Sequence, residues 1–326
     1  MNGPPLLTVN NLTVHFRLRR SLLERSSVVV KAVDGVGFSL GTGESLGVVG
    51  ESGCGKSTLG KAILQLVPES RGEVIWLGQD LGTASSSSLR MIRREMQMIF
   101  QDPLASLDPK MTVERIIGLP LRTFFPGLSR DEVRRKVLEV MEEVGLPRSV
   151  AGRYPHQFSG GQCQRIGIAR VLIMRPKLIV CDEPTSALDI SVQAQIINLL
   201  LQLRQDYQMS LLFISHNLAV VRHLCDRVMV LYMGKVVEIG TRDAIFASPR
   251  HPYTRVLLNA APRVGNEARG HYSRVSLQGE PGSPVNPPPG CRFQGRCPRA
   301  SEICRKEEPQ LNGARESNQV ACHHPH

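Results

Sequence analysis

The sequence predicts an α/β fold built on a mainly parallel sheet. Three observations carry that prediction. Short apolar segments alternate with helical patterns from the N-terminus to about residue 260. Residues 50–58, GESGCGKST, form a glycine-rich loop that follows an apolar strand and opens a helix. The apolar segments 211–215 and 228–232 are each separated from the preceding strand by a helical stretch, as βαβ crossovers require.

The elements follow in order. Residues 45–49 read as a strand and 56–66 as the helix after it, while the serine run 85–88 reads as a low-complexity loop. Residues 96–100 are the next strand. A charged helix is expected over 131–144, with Ser129 three residues before Glu132 as a capping box and Gly145 as terminator. Strands recur at 178–182, 211–215 and 228–232, and no internal repeat is present. Near Ala261 the composition changes. From there to His326 the chain is rich in Pro, Gly, Arg and Cys, and prolines 287–289 exclude regular helix or central strand. A tail of this kind buries no core alone and needs a metal staple, disulfides or a docking surface. Two parts are therefore expected, 1–260 and 261–326.

The chain has 326 residues, 41% of them hydrophobic, enough for one large domain plus an appendage. No apolar run approaches the roughly eighteen residues that span a bilayer. The N-terminus lacks a secretory pattern, so the chain is expected in the cytoplasm unless a partner holds it at a membrane. The net charge of +11 suits anionic partners or simply solvated faces. Arg19, Arg20, Arg90, Arg93 and Arg94 carry no interleaved aromatics, so they read as solvated and no nucleic-acid partner is expected. Of eight cysteines, Cys54, Cys163, Cys181 and Cys225 are scattered as reduced thiols would be. Cys291, Cys297, Cys304 and Cys322 crowd into the last 36 residues.

Three motifs carry chemistry. In the loop Gly50, Glu51, Ser52, Gly53, Cys54, Gly55, Lys56, Ser57 and Thr58, the glycines let backbone N–H groups turn inward around phosphates, and the helix N-terminus adds positive potential. Lys56 would contact the β- and γ-phosphate oxygens, and the Ser57 hydroxyl would ligate Mg²⁺. Alone, this loop says only that a nucleoside triphosphate binds. In LIVCDE, residues 178–183, an apolar strand delivers Asp182 to the metal, with Glu183 next to it as the natural general base for an attacking water. In FSGGQCQR, residues 158–165, a glycine-assisted helix start has the N–H groups of Ser159, Gly160 and Gly161, with Gln162 beside them, as suits a phosphate.

The three motifs in this order resemble the ATP-binding cassette (ABC) ATPases. The resemblance implies the P-loop NTPase fold of that family, with an inserted helical subdomain at about 102–158 and a short irregular Cys-rich extension. It implies that the phosphate met by the SGGQ segment is bound on a second subunit. It also implies that Gln101 senses Mg²⁺ or water, that Asp189 in SALD crosses to a second subunit, that His216 contacts the γ-phosphate, and that Phe16 stacks on adenine unless it is a core residue. Asn217 departs from the family's usual aspartate and removes a charge beside His216. Cys54 and Cys163 occupy variable motif positions and receive no catalytic role.

QMIFQDPLASLDP (97–109), RYPHQFSGGQCQRIGIAR (153–170), HPYT (251–254) and SPVNPPPGCRFQGRCP (283–298) resemble the oligopeptide/dipeptide importer ATPases, in particular the second of their two ATPase subunits. Relatives in that group also serve nickel and glutathione. The resemblance implies a heteromeric pair with a paralogous ATPase subunit, two transmembrane permease subunits and an extracytoplasmic peptide-binding protein. It also implies a peripheral place on the cytoplasmic face of the bacterial inner membrane. Competing readings are a soluble ABC ATPase and a catalytically dead regulatory subunit. The first would carry tandem domains or a long coiled coil; the second would lack Glu183 or His216. For the tail cysteines, separated by five, six and seventeen residues without a Cys-x-x-Cys pair, four thiolates suit a 4Fe–4S cluster or zinc. The resemblance favours the cluster; disulfides or no metal remain alternatives, and His323 and His324 are further candidate ligands.

Overall fold

The computed structural model describes residues 4–19, 27–260, 282–313 and 318–326. The chain runs β1 (Leu7–Arg19), β2 (Ser27–Leu40), β3 (Ser45–Val49), α1 (Lys56–Ile63), β4 (Ser70–Trp76), β5 (Gln79–Asp80), α2 (Ser86–Glu95) and β6 (Met96–Ile99). It continues through α3 (Val113–Phe124), α4 (Arg130–Glu143), α5 (Gly160–Leu172), β7 (Leu178–Asp182), α6 (Ile190–Tyr207) and β8 (Ser210–Ile214). Then come α7 (Leu218–Leu224), β9 (Arg227–Tyr232), β10 (Lys235–Thr241), α8 (Arg242–Ala247), α9 (Pro252–Ala260), α10 (Glu302–Lys306) and β11 (Asn318–Val320). The described residues fall into two units. One draws on Met1–Gly41, Ser45–Thr83 and Ile214–His326, the other on Thr42–Glu44 and Ala84–Phe213.

The first unit holds an antiparallel sheet of order β2-β1-β4-β5 and the strand order β11-β10-β9-β3. The antiparallel sheet is the departure from a mainly parallel expectation. Its long hairpin buries one face through an alternation that breaks phase once along β1. Leu7 and Val9 point inward, the phase slips at Asn10 and Asn11, and Leu12 and Val14 resume the burial. Asn11 sits at φ 48°, a left-handed conformation that asparagine tolerates better than most residues, and the register shift falls there. β3 pairs parallel with β9, and both are buried on both faces, which is why they read as continuous apolar runs.

The second unit contains β6 paired parallel with β7, β8 on the other side of β7, and the helices α2 to α6. α4 starts with the expected capping box, the Ser129 hydroxyl accepting from Glu132 N–H and the Glu132 carboxylate from Ser129 N–H, and Gly145 follows its end at φ 76°. Two expectations change here. The serine run is not a loop: Ser85 caps α2 by accepting the Ser88 N–H, and residues 86–88 are its first turn. Serine suits that role because its hydroxyl satisfies an otherwise orphaned amide. Nor are all the arginines of α2 merely solvated. Arg90 donates to the Thr123 carbonyl at 3.1 Å and lies over the Phe124 ring, while Arg94 lies 4.4 Å over Phe125. Cations thus meet the carbonyl end of α3, where the helix dipole favours them. Arg20 and the side chain of Arg19 lie outside the described residues.

The tail's described parts dock on the first unit. β11 adds antiparallel to β10 through Glu238–Val320, Ile239–Gln319 and Gly240–Asn318. Val285 bridges Val30 of β2, and Phe293 is buried against Tyr232, Tyr253 and His251. Of the three anchors named for the tail, a docking surface is present, and the eight cysteines are free thiols. Residues 261–281, where the composition first changes, lie outside the described residues.

The junction contains a fully buried carboxylate. Glu238 accepts the N–H groups of Arg250 and His251 and the side-chain amide of Asn318. Next to it the buried His251 Nδ1 accepts the Tyr253 N–H at 3.0 Å, which requires an unprotonated ring nitrogen. Burial, with a smaller contribution from His326, lowers the His251 pKa from 6.5 to about 3. Between those values the unfolded chain binds the extra proton. The His251 contribution to stability is therefore complete above pH about 6.5 and is lost as pH falls toward 3, with a slope of at most about 1.4 kcal/mol per pH unit. His251→Asn, whose side-chain oxygen can accept the same N–H, is expected to flatten that limb of the urea-unfolding stability curve. An unchanged slope would assign the acid sensitivity elsewhere.

Candidate active site

In the first unit, β3 runs directly into the glycine-rich loop. Three of its glycines have positive φ: Gly50 at 154°, Gly53 at 77° and Gly55 at 104°. At Gly50 and Gly55 the fold also leaves no room, since an added Cβ would overlap the Leu231 carbonyl oxygen at the former and the Ala32 carbonyl oxygen at the latter. Lys56, only 5% exposed, curls back over the loop and donates to the carbonyls of Gly50 (2.9 Å) and Glu51 (3.0 Å). Its ammonium is thus held at the mouth of the loop by two weak-field acceptors that a phosphate can displace. Ser57 and Thr58 occupy the first turn of α1, and Ser52 and Gly53 form the exposed lip.

Cys54 does not line this lip. Its side chain is buried and its N–H is already given to Glu51 O, so only the backbone fold of Cys54 serves the loop. Burial raises the thiol pKa, which fits an inert packing role.

Glu51 has partners the sequence reading missed. Its N–H donates to the Tyr253 hydroxyl at 2.9 Å, and its carboxylate takes Arg296 Nη1 at 2.9 and 3.1 Å. Both residues lie in segments, HPYT and GCRFQGRCP, that stood out only by resemblance. The Tyr-Glu and Arg-Glu contacts span 202 and 245 residues, so no local pattern could announce them. Phe16 lies on β1 opposite Val30 of β2, half-buried. His216 follows β8 and is exposed. Asn217, the departure from aspartate, caps α7 by accepting the N–H groups of Ala219 and Val220, work that asparagine does as well as aspartate.

In the second unit, β7 is buried throughout and ends in Asp182, 3% exposed. Glu183 is turned out of the strand by a left-handed backbone, φ 45°, which is uncommon for a residue with a Cβ and concentrates at functional turns. Its carboxylate accepts from Gln101 Nε2 at 3.2 Å, so the structure joins two of the candidate catalytic residues from positions 82 apart. Ser186 and Asp189 follow on the same loop, Asp189 exposed at the start of α6.

The SGGQ segment opens α5, and its amides are not equivalent. Ser159 and Gln162 form a capping box in which the Gln162 side chain accepts the Ser159 N–H. Of the three N–H groups expected to face a phosphate, that of Ser159 is bonded to Gln162 Oε1 at 3.1 Å in this structure. Gly161 is also required by packing, since an added Cβ would overlap Val192 of α6.

Cys291 donates its N–H to the Cys304 carbonyl at 2.8 Å, joining two of the four tail cysteines. Burial raises the Cys291 pKa to about 11, with the neighbouring Cys304, Cys322 and Cys297 thiols adding to the rise. Cys297 and Cys322 are raised for the same first reason. Among the described residues no three His, Cys, Asp or Glu side chains stand close enough to hold a single metal ion. The arrangement is thus wider than one zinc requires. His324 bonds the Ser301 hydroxyl and His323 the Glu307 carbonyl, so both imidazoles have structural partners.

Comparison with known proteins decides the family. The Escherichia coli oligopeptide transport ATP-binding protein OppF is 52% identical over 311 residues, covering 95% of this chain and 93% of that protein. The chain belongs to the ABC transporter ATP-binding proteins. The ABC transporter family matches residues 33–186, and the oligopeptide/dipeptide transporter C-terminal region matches 237–304. The Bacillus subtilis oligopeptide transport ATP-binding protein AppF is 47% identical over 99% of this chain and 98% of its own length. The dimeric structure of MJ0796, a bacterial ABC transporter cassette, superposes with TM-score 0.65 at 29% identity, covering 72% of this chain and 98% of that one. The fold is accordingly the P-loop ABC ATPase fold, and members of this family bind ATP with Mg²⁺. Among the described residues no helix is long and apolar enough to cross a membrane.

Proposed function

We propose that this chain is the ATP-hydrolysing subunit of an importer for oligopeptides or dipeptides, seated on the cytoplasmic face of the bacterial inner membrane. The observation that carries the reading is the near-full-length likeness to oligopeptide transport ATP-binding proteins, joined to a C-terminal region of the oligopeptide/dipeptide transporter type. Residues 1–260 form the ATPase domain, with a helical subdomain at about 102–158, and 261–326 form the importer-type extension.

Gly50 to Thr58 cradle the phosphates, Lys56 leaves its carbonyl acceptors for the β- and γ-phosphate oxygens, and Phe16 stacks on adenine. Ser57, Asp182 and Gln101 are the residues that would hold Mg²⁺, which would supply charge neutralisation on the phosphates. Glu183 takes the proton of the attacking water, with Gln101 and His216 orienting it toward the γ-phosphorus. The Ser159, Gly160, Gly161 and Gln162 segment of this chain meets the γ-phosphate bound on a companion ATPase subunit, whose own signature segment completes the site here, and the Asp189 loop crosses the same interface. Two permease subunits and an external peptide-binding protein complete the assembly. A tag on this chain should pull down that complex from membranes, and mass spectrometry of the solute held by its binding protein should show peptides. Nickel or glutathione there would reassign the cargo, and a complex without membrane subunits would remove the transport role.

Cys291, Cys297, Cys304 and Cys322 together suit a 4Fe–4S cluster, which would brace four tail segments against each other. What supports this is the crowding of four free thiols into the last 36 residues, with the Cys291 N–H donating to the Cys304 carbonyl at 2.8 Å. Anaerobically purified protein is expected to carry iron and acid-labile sulfide in equal amounts. Absence of both refutes the cluster.

A further inference from the structure

Glu51 places a carboxylate inside a loop whose task is to hold a triphosphate. An unpaired anion there would repel the ligand, and the Glu51 side chain, 29% exposed, is only partly screened by water. The structure meets that problem from the far end of the chain. Arg296, its side chain only 9% exposed, sets Nη1 against both Glu51 carboxylate oxygens and within 3.5 Å of the Tyr232 hydroxyl. The guanidinium is thus held chiefly by Glu51, with the Tyr232 hydroxyl as a longer second contact. Phe293, three residues earlier, packs edge-on against Tyr232 with ring centroids 5.3 Å apart. Arg292 inserts beside it, bonding the Met233 carbonyl and the Asp34 carboxylate. Arg296 Nε is buried and has no protein hydrogen-bond partner among the described residues. Meanwhile the Tyr253 hydroxyl fixes the Glu51 backbone, and the Glu51 carbonyl holds Lys56.

We propose that Arg296, in the tail loop between Cys291 and Cys297, is a positioning residue for ATP: it neutralises Glu51 so that the phosphate loop presents its amides and Lys56 to an anion without a repelling charge beside them. This rests on the reading that residues 50–58 bind ATP. The tail then acts in the nucleotide site as well as in the fold, and damage to the cysteine-rich loop is felt as weakened ATP affinity.

The test is isothermal titration of the full-length chain with MgATP, alongside KM and kcat for ATP. Arg296→Gln is expected to weaken ATP binding about tenfold, raising KM with little change in kcat. Glu51→Gln should bind ATP at least as tightly as the parent, because it removes the repelling charge. The double variant Glu51→Gln with Arg296→Gln should return to within about threefold of the parent affinity. A purely structural arginine predicts no such rescue, so a double variant as weak as Arg296→Gln overturns the proposal, as does parental affinity in Arg296→Gln. Arg296→Lys covers the case in which the glutamine variant does not fold. It should stay within about threefold of the parent, and a tenfold loss would overturn the charge argument. Failure of the parent itself to bind ATP would instead strike the functional assignment.

Discussion

Glu183→Gln should lower steady-state ATP hydrolysis by about 10²–10⁴-fold, the usual contribution of a positioned general base, while ATP still binds. The substitution keeps the shape of the side chain and removes only its ability to take a proton. The setting makes this specific. β7 is buried along its length, so it delivers its end as a rigid unit, and the left-handed backbone at Glu183 turns the carboxylate toward Gln101. Asp182, nearly fully buried, stays behind at the end of the strand. Loss of binding energy should be small because the phosphate loop is untouched. Parallel measurement of ATP affinity and single-turnover hydrolysis separates the two effects, and parental turnover in the variant would remove Glu183 from its role.

Gly55→Ala is expected to be the most damaging single methyl group in the nucleotide site. Two costs add. At φ 104° an L-residue is strained, and the new Cβ would overlap the Ala32 carbonyl of β2. Backbone cannot yield as a flexible side chain would. The loop should therefore move, with a stability loss of about 3 kcal/mol or more and ATP binding lost with it. Gly53→Ala is the control, because its Cβ meets nothing within 4 Å and only the positive φ of 77° is left to resist it. That variant should lose about 1–2 kcal/mol. Urea unfolding together with ATP titration checks both. Equal losses in the two variants would mean that the contact with Ala32 is not what confines the loop.

Much of the molecule was legible because its signals are local. A strand that must be buried on both faces is written as a continuous apolar run, and β3, β7, β8 and β9 were each placed within a residue or two. The capping box at Ser129 and the glycine after α4 follow from hydrogen bonds spanning three or four residues. The serine run was misread for an equally local reason. Serine serves loops and helix starts alike, and only the Ser88 amide bonded to Ser85 tells them apart. The antiparallel hairpin escaped because its alternation breaks phase at Asn10 and Asn11, where a bulge restores the buried face.

The sequence by itself determined the phosphate loop, the acidic end of β7, the SGGQ helix start and the alternation that makes an α/β core. Each is a chemical requirement met by residues a few positions apart. Only tertiary structure decided that Cys54 packs inward, that Gln162 consumes the Ser159 amide, and that the tail reaches back to grip Glu51. Those outcomes depend on which surfaces are left to bury once the sheets have formed, and on backbone groups that must find partners wherever the chain returns. No periodicity encodes a contact between residues 245 apart; close packing selects it.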